Sequence, residues 1–347
     1  MVEHRTRSAN KATRPSSRAR RRRKVWSEFT PFPRQSLYRP DRVNASLRQT
    51  GSLGAARVRN RSGRLRPGLA ADSPCSVSHS NLAVRVVTSL VAAPVLLGVL
   101  LLAPPLAWYG VVAAACAVAG MELFAMTHGD DRVARTVGVA MTLAVSAAVY
   151  FWSDRPRVQL TLLCLLVLGG LFLSVARPGD IPTSAGRLTA AVAGPLYVGV
   201  LPTTLALLRR DSGEAGAGYV VLALLMAWLA DTGGYFVGRR FGKTPLHPAL
   251  SPKKTRAGLV GATLGSVAAG LLAHFWFLEG LPLLDALLLG VAGGVIGQAG
   301  DLAESLLKRS TGIKDSGSII PGHGGVLDRI DALLVVAPTL YVYTLWR

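Results

Sequence analysis

Acidic side chains are scarce in this chain. There are 19 Asp and Glu against 39 Lys and Arg in 347 residues, and charged residues of all kinds make up only 17%. So low a charge content, with half of the residues hydrophobic, excludes an ordinary water-soluble domain and fits a chain that crosses a bilayer many times. Cysteine is also sparse. Cys75, Cys116 and Cys164 stand far apart and no Cys-x-x-Cys occurs, which excludes a disulfide framework and a cysteine zinc site. Residues 1–80 contain no apolar run, so no cleavable secretory signal is expected there.

What the first 80 residues do contain is basic charge: 19 of the Lys and Arg, opposed by Glu3, Glu28, Asp41 and Asp72. Such a Ser-, Pro- and Arg-rich segment buries too little apolar surface to offset chain entropy, and the expectation is a disordered tail. Its charge suits topology setting or contact with anionic lipid head groups. No folded nucleic-acid-reading module accompanies it, so nucleic acid is not expected as a partner. Residues 81–347 then form the second unit.

From Val86 onward, nine apolar runs alternate with short polar breaks: 86–103, 106–127, 133–152, 158–175, 188–208, 218–237, 257–278, 282–300 and 332–346. Most approach the ~20 residues that span the hydrocarbon core as a helix, and lipid-exposed backbone must satisfy itself internally. The fold class expected is therefore an all-α polytopic membrane protein of about nine helices. Pro94, Pro104, Pro105, Pro195 and Pro202 mark kinks or breaks. With the tail on the cytoplasmic side, the loops on that side hold fourteen Lys and Arg and those opposite hold five. The loops at 238–256 and 301–331 then share the cytoplasmic face.

Carboxylates inside apolar runs include Glu122 and Asp231. Glu122 lies near the end of the second, where structural and functional roles are equally open. Asp231 lies in the sixth and is followed by Gly233 and Gly234, which permit close helix approach. The densest chemistry is Gly300–Asp331, about thirty residues with five carboxylates, four basic side chains, His323 and six glycines. If the eighth helix continues through it, Asp301, Ser305 and Lys308 share a face, and Glu304 and Lys308 form an i,i+4 pair. Glycines let backbone amides approach phosphate closely. Asp301, Asp315, Asp328 and Asp331 offer the hard oxygens that magnesium prefers, and His323 is read as a phosphate or structural hydrogen-bond donor. Such a loop suits phosphoryl or nucleotidyl transfer. Gly238–Thr244 approaches a P-loop ending, but its glycine spacing is one residue short and an apolar helix precedes it.

The run Ser305-x-Leu307-Lys308-Arg309, Lys314-Asp315-x-Gly317 and Ile320-Pro321-x-His323-Gly324-Gly325-Val326-x-Asp328-Arg329-Ile330-Asp331 resembles, at every defined position, the signature of the phosphatidate cytidylyltransferase family. Glu122-x-x-x-Met126, Asp231–Arg239 and Ser251-Pro252-Lys253-Lys254-Thr255 are similar to other stretches of that family. The resemblance covers about residues 82–346. It implies transfer of CMP from CTP to phosphatidic acid, with a divalent cation, normally magnesium. The loop charges put the site on the cytoplasmic side, and the composition, with Arg far above Lys and abundant Ala, Gly and Val, points to a bacterial plasma membrane. The resemblance implies that Asp301 and Asp328 are metal-site carboxylates. Lys308, Arg309, Lys314 and Arg329 would hold the triphosphate or the lipid phosphate, as would Ser251, Lys253, Lys254 and Thr255 from the other loop. Asp315 and Asp331 would orient those cations or join the metal shell, and Asp231 would serve the metal or orient a ligand. A homodimer is the assembly the resemblance implies. One departure stands out: Arg256-Ala257-Gly258 replaces the family's usual Trp-Glu-Gly, so no role of that Glu carries over. The competing readings are a transporter, disfavoured by charges gathered at one face without internal repeats, another CTP-dependent lipid enzyme, and an inactive relative.

Overall fold

The computed structural model describes residues 93–317 and 324–347. The basic tail, the start of the first apolar run and His323 lie outside the described residues.

Among the described residues, the apolar runs are carried by helices. α1 is Ala93–Leu102, and seven longer helices follow that are long and apolar enough to cross a membrane. α2 is Pro105–His128 and α3 is Arg132–Phe151. Pro105 sits in the first turn of α2, where its missing N–H costs nothing. Gly129, at φ 55°, ends that helix in a conformation that favours glycine. Asp131 then caps α3, accepting a hydrogen bond from Ala134 N at 3.1 Å. α4 is Pro156–Ala176 and buries only Leu166 and Gly170, as a helix facing lipid would.

α5, Ile181–Pro195, runs through a π-turn at Leu196–Val200 into α6, Leu201–Asp211. The break falls between Pro195 and Pro202, the two prolines expected to interrupt this run. α7 is Gly216–Phe241. An antiparallel hairpin of β1, Pro245–His247, and β2, Ser251–Thr255, leads into α8, Arg256–Leu272. Because α7 is helical through Gly238–Phe241, this stretch is no P-loop. α9 is Leu283–Ser310, α10 the single turn Leu327–Ile330, and α11 Leu333–Leu345.

The described residues hold seven helices of spanning length, so the count of nine crossings is not confirmed. Among the described residues, α1 and α11 fall short by length. The 13 residues of α11 rise only ~20 Å against a hydrocarbon core of ~30 Å.

Glycine sets how closely the second half of the bundle packs. A Cβ at Gly233 of α7 would run into the Gly261 carbonyl of α8, one at Gly261 into the Gly233 carbonyl, and one at Gly265 into Leu229 O. On the other side of α8, a Cβ at Gly294 of α9 would stand 2.5 Å from Thr263 Cα, and one at Gly290 2.6 Å from Val267 Cα. Backbone thus meets backbone across α7, α8 and α9, the small-residue packing that brings helices together in lipid. This contact fixes the depth of Asp231 on α7 against Asp301 on α9.

Candidate active site

The hairpin and the end of α9 meet. Lys254, on β2, forms an ion pair with Asp301, on α9. Two polar stretches some fifty residues apart thereby share one site, as the loop charges led one to expect. Thr255 ends β2 and caps α8: its hydroxyl accepts from Gly258 N at 3.0 Å. That cap aims the hairpin back over the helix ends.

α9 continues without a break through Gly300–Arg309. The continuation stacks Asp301, Glu304 and Lys308 on neighbouring positions of one side. Asp301, Glu304 and Asp331, the residue after α10, each offer a carboxylate oxygen, and these oxygens lie within 4.8 Å of one another. Glu304 is 1% exposed. Its Oε2 accepts from Lys308 Nζ at 2.7 Å, while its Oε1 has no partner among the described residues. Burial, and after it the charge of Asp301, push the Asp331 carboxyl above the usual carboxylate range. Three carboxylates this close, one with a buried unpaired oxygen, form a hard oxygen donor set of the kind that can hold a divalent cation. Asp231, on α7, lies within electrostatic range of Asp301, Lys254 and Arg329.

Asp328 stands one side chain away from this trio. Its Oδ1 accepts from Lys308 Nζ at 2.6 Å, and its Oδ2 accepts from Ser316 N and Gly325 N, both at 3.0 Å. Burial alone would raise its pKa, but the Lys308 ammonium and the two backbone N–H groups outweigh that and hold Asp328 well below the usual carboxylate range. Asp328 is thus anionic, and through Lys308 it is joined to Glu304.

The loop that carries these residues is tied down by Glu122. This buried carboxylate of α2 accepts from Ser316 Oγ at 3.1 Å and from Val326 N and Leu327 N, each at 2.9 Å. Its position leaves room only for glycine opposite: a Cβ at Gly317 would lie 2.7 Å from its Oε1, and one at Gly325 2.6 Å from its Oε2. Gly312 and Gly324 turn the chain at φ 77° and 81°.

The remaining residues singled out from sequence divide by exposure. Lys253, Arg309, Lys314, Asp315 and Arg329 are exposed, as is Asp231; Ser251, Ser305 and Lys254 are half-buried. Arg309 donates to Ile313 O at 3.2 Å, within its own loop. Two residues of the site were not singled out. Glu304 was read only as the partner of Lys308, although its place three residues after Asp301 puts both on one helix side. Tyr197, on the π-turn, packs against the small core of Ala119, Leu123, Val198, Leu327 and Leu334, and its buried hydroxyl lacks a partner among the described residues. Nothing short of the fold places it there.

The architecture and the site together define a multi-pass membrane protein with a carboxylate and lysine centre at one end of its helices. Residues 83–346 match the model of the cytidylyltransferase family, and the chain belongs to that family. It is 34% identical over 273 residues to a phosphatidate cytidylyltransferase of Brucella suis biovar 1, covering 76% of this chain and 93% of the relative. It is 33% identical over 276 residues to one of Thermotoga maritima, covering 76% and 96%. A phosphatidate cytidylyltransferase of Bacillus subtilis is 44% identical over 135 residues, 38% of this chain and 49% of the relative.

Proposed function

We propose that this nucleotidyltransferase transfers CMP from CTP to phosphatidic acid, giving CDP-diacylglycerol and pyrophosphate. The observation that carries the reading is the signature-bearing loop, folded back on Glu122 so that Asp331 meets Asp301 and Glu304 beside Lys254 and Lys308.

In this reading a non-bridging oxygen of the phosphatidate phosphate attacks the α-phosphorus of CTP. The new P–O bond forms as the bond from the α-phosphorus to the α,β-bridging oxygen breaks, and pyrophosphate carries that electron pair away. No general base is needed, because phosphatidate is already anionic at neutral pH. Lys253, Arg309, Lys314 and Arg329 are the exposed cations that would gather the triphosphate and the lipid phosphate. Ser251 would assist from the hairpin, and Thr255 would act by keeping the hairpin capped on α8. Ser305 and Asp315 border the same phosphates, and His323 is kept as a donor to them. Asp301 would hold the divalent cation with Asp331 and Glu304, and Asp328 would adjoin it across Lys308. When bound, magnesium neutralises phosphate charge and polarises the reacting phosphorus. Asp231 would orient the groups around Asp301.

We place the enzyme in the plasma membrane with this centre facing the cytoplasm, in accord with the fourteen-to-five bias of basic residues between the two sets of loops. Residues 81–347 would carry the activity, in a homodimer whose mass in detergent is the check. Purified protein, phosphatidate, magnesium and CTP labelled in the cytidine should yield labelled lipid. Label from the γ-phosphate entering lipid would make the protein a kinase instead.

A further inference from the structure

Four arginines stand near the ends of α2–α5 that face the site. Arg177 and Arg187 both pair with Asp131, at 3.0 and 3.3 Å. Arg132 and Arg135 form no ion pair among the described residues. They open a groove of about 560 Å³ between α2 and α3. Its charged mouth is completed by Thr136, and its floor continues along α3 through Val139, Ala140 and Leu143, with Met121 of α2 as one wall.

These α3 positions recur at three- and four-residue spacing, so they form one continuous face. The opposite face is the one used in packing: Ala134, Gly138, Thr142 and Val145 are buried, with Gly138 against the Phe124 ring of α2. The groove face is graded, with cations at one end and apolar side chains beyond. From Arg132 to Leu143 it spans ~16 Å at 1.5 Å per residue, which is about one leaflet of a ~30 Å hydrocarbon core.

We propose that this groove holds a resident anionic glycerophospholipid of the bilayer. Its phosphate lies between Arg132 and Arg135, and an acyl chain runs along Val139, Ala140 and Leu143. Two guanidiniums favour a head group with net negative charge over a zwitterionic one. The basic tail of the chain itself is a poor occupant, since 19 Lys and Arg against four acids repel the same arginines. Met121 lines the groove and its neighbour Glu122 anchors the catalytic loop, so the lipid supports the stretch of α2 from which that loop hangs. The assignment does not depend on which nucleotide the centre uses.

The test is lipid retention by native mass spectrometry. Protein would be taken from nanodiscs of phosphatidylcholine containing either phosphatidylglycerol or phosphatidate as a minor component. The wild type should keep one phosphatidylglycerol in preference to phosphatidylcholine. The double variant Arg132→Gln/Arg135→Gln should hold it about 30-fold more weakly, at about fivefold per basic residue. Ala140→Trp leaves both arginines and fills the apolar floor, and it should also lose the lipid. Melting curves in detergent would show that both variants fold. Equal retention by all three proteins, or equal retention of phosphatidylcholine and phosphatidylglycerol by the wild type, would overturn the proposal. Retention of phosphatidate alone would overturn it as well, making the groove a substrate subsite.

Discussion

Glu122 holds three donors of a loop about two hundred residues away in sequence, and it does so from inside the bundle. Hydrogen bonds to a buried charged acceptor contribute ~1.5–3 kcal/mol each, more than neutral ones. Glu122→Gln keeps the volume but turns one acceptor into a donor that faces other donors. The variant should lose about 2 kcal/mol of stability, seen as a lower melting temperature, and most of its turnover, because Asp328 and Asp331 ride on the loop. Asp301→Asn should reduce turnover by roughly 10²-fold or more while membrane insertion and melting stay near wild type. Manganese titration followed by electron paramagnetic resonance would separate a lost cation site from a lost phosphate contact. Unchanged manganese affinity in Asp301→Asn would remove that residue from the cation site. Glu304→Gln is a second probe of the same site, since Glu304 belongs to the carboxylate trio and its Oε1 has no partner among the described residues.

At the scale of elements, the glycine contact between α7 and α8 sets the distance between two carboxylate-bearing helices. Gly261→Val would drive its side chain into the Gly233 carbonyl and Val237. Overpacking of this kind costs about 1–3 kcal/mol, and here it would also displace Asp231. The expected outcome is a lower melting temperature together with weaker cation binding. Loss of stability alone, with manganese affinity intact, would show that α7 contributes no ligand-orienting group. The helices themselves were legible in the sequence, because an unbroken apolar run in lipid has few options besides helix. The π-turn between Pro195 and Pro202 was foreshadowed by the prolines. The shortfall of α11 was visible in its run length. Other features were hidden for physical reasons. Glu304 looks like half of an i,i+4 pair, and only the return of Asp331 from beyond the loop turns it into part of a trio. Tyr197 reads as an ordinary aromatic in an apolar run until the turn packs it into the cluster that includes Leu327 of α10. Glu122 was recognisable as a costly carboxylate, but its partners are backbone amides, which carry no residue-type signal.

For the whole molecule, two polar stretches some fifty residues apart, the hairpin and the later part of α9, are joined into one site by the ion pair of Lys254 with Asp301. Deleting residues 1–75 should preserve most activity in detergent, since every residue placed in the centre lies beyond them. A large loss would make the tail part of the enzyme. The departure at Arg256-Ala257 follows directly after the Thr255 cap, and α8 begins there with the cap intact, so the hairpin keeps its anchor without the family's glutamate. The most direct test of the whole account is a turnover assay of the purified protein in nanodiscs with phosphatidate, magnesium and CTP labelled separately in the cytidine and in the γ-phosphate. The account predicts cytidine label in the lipid and γ label in pyrophosphate. Transfer of γ label to lipid, or no transfer of either label by folded protein that still binds CTP, would contradict it.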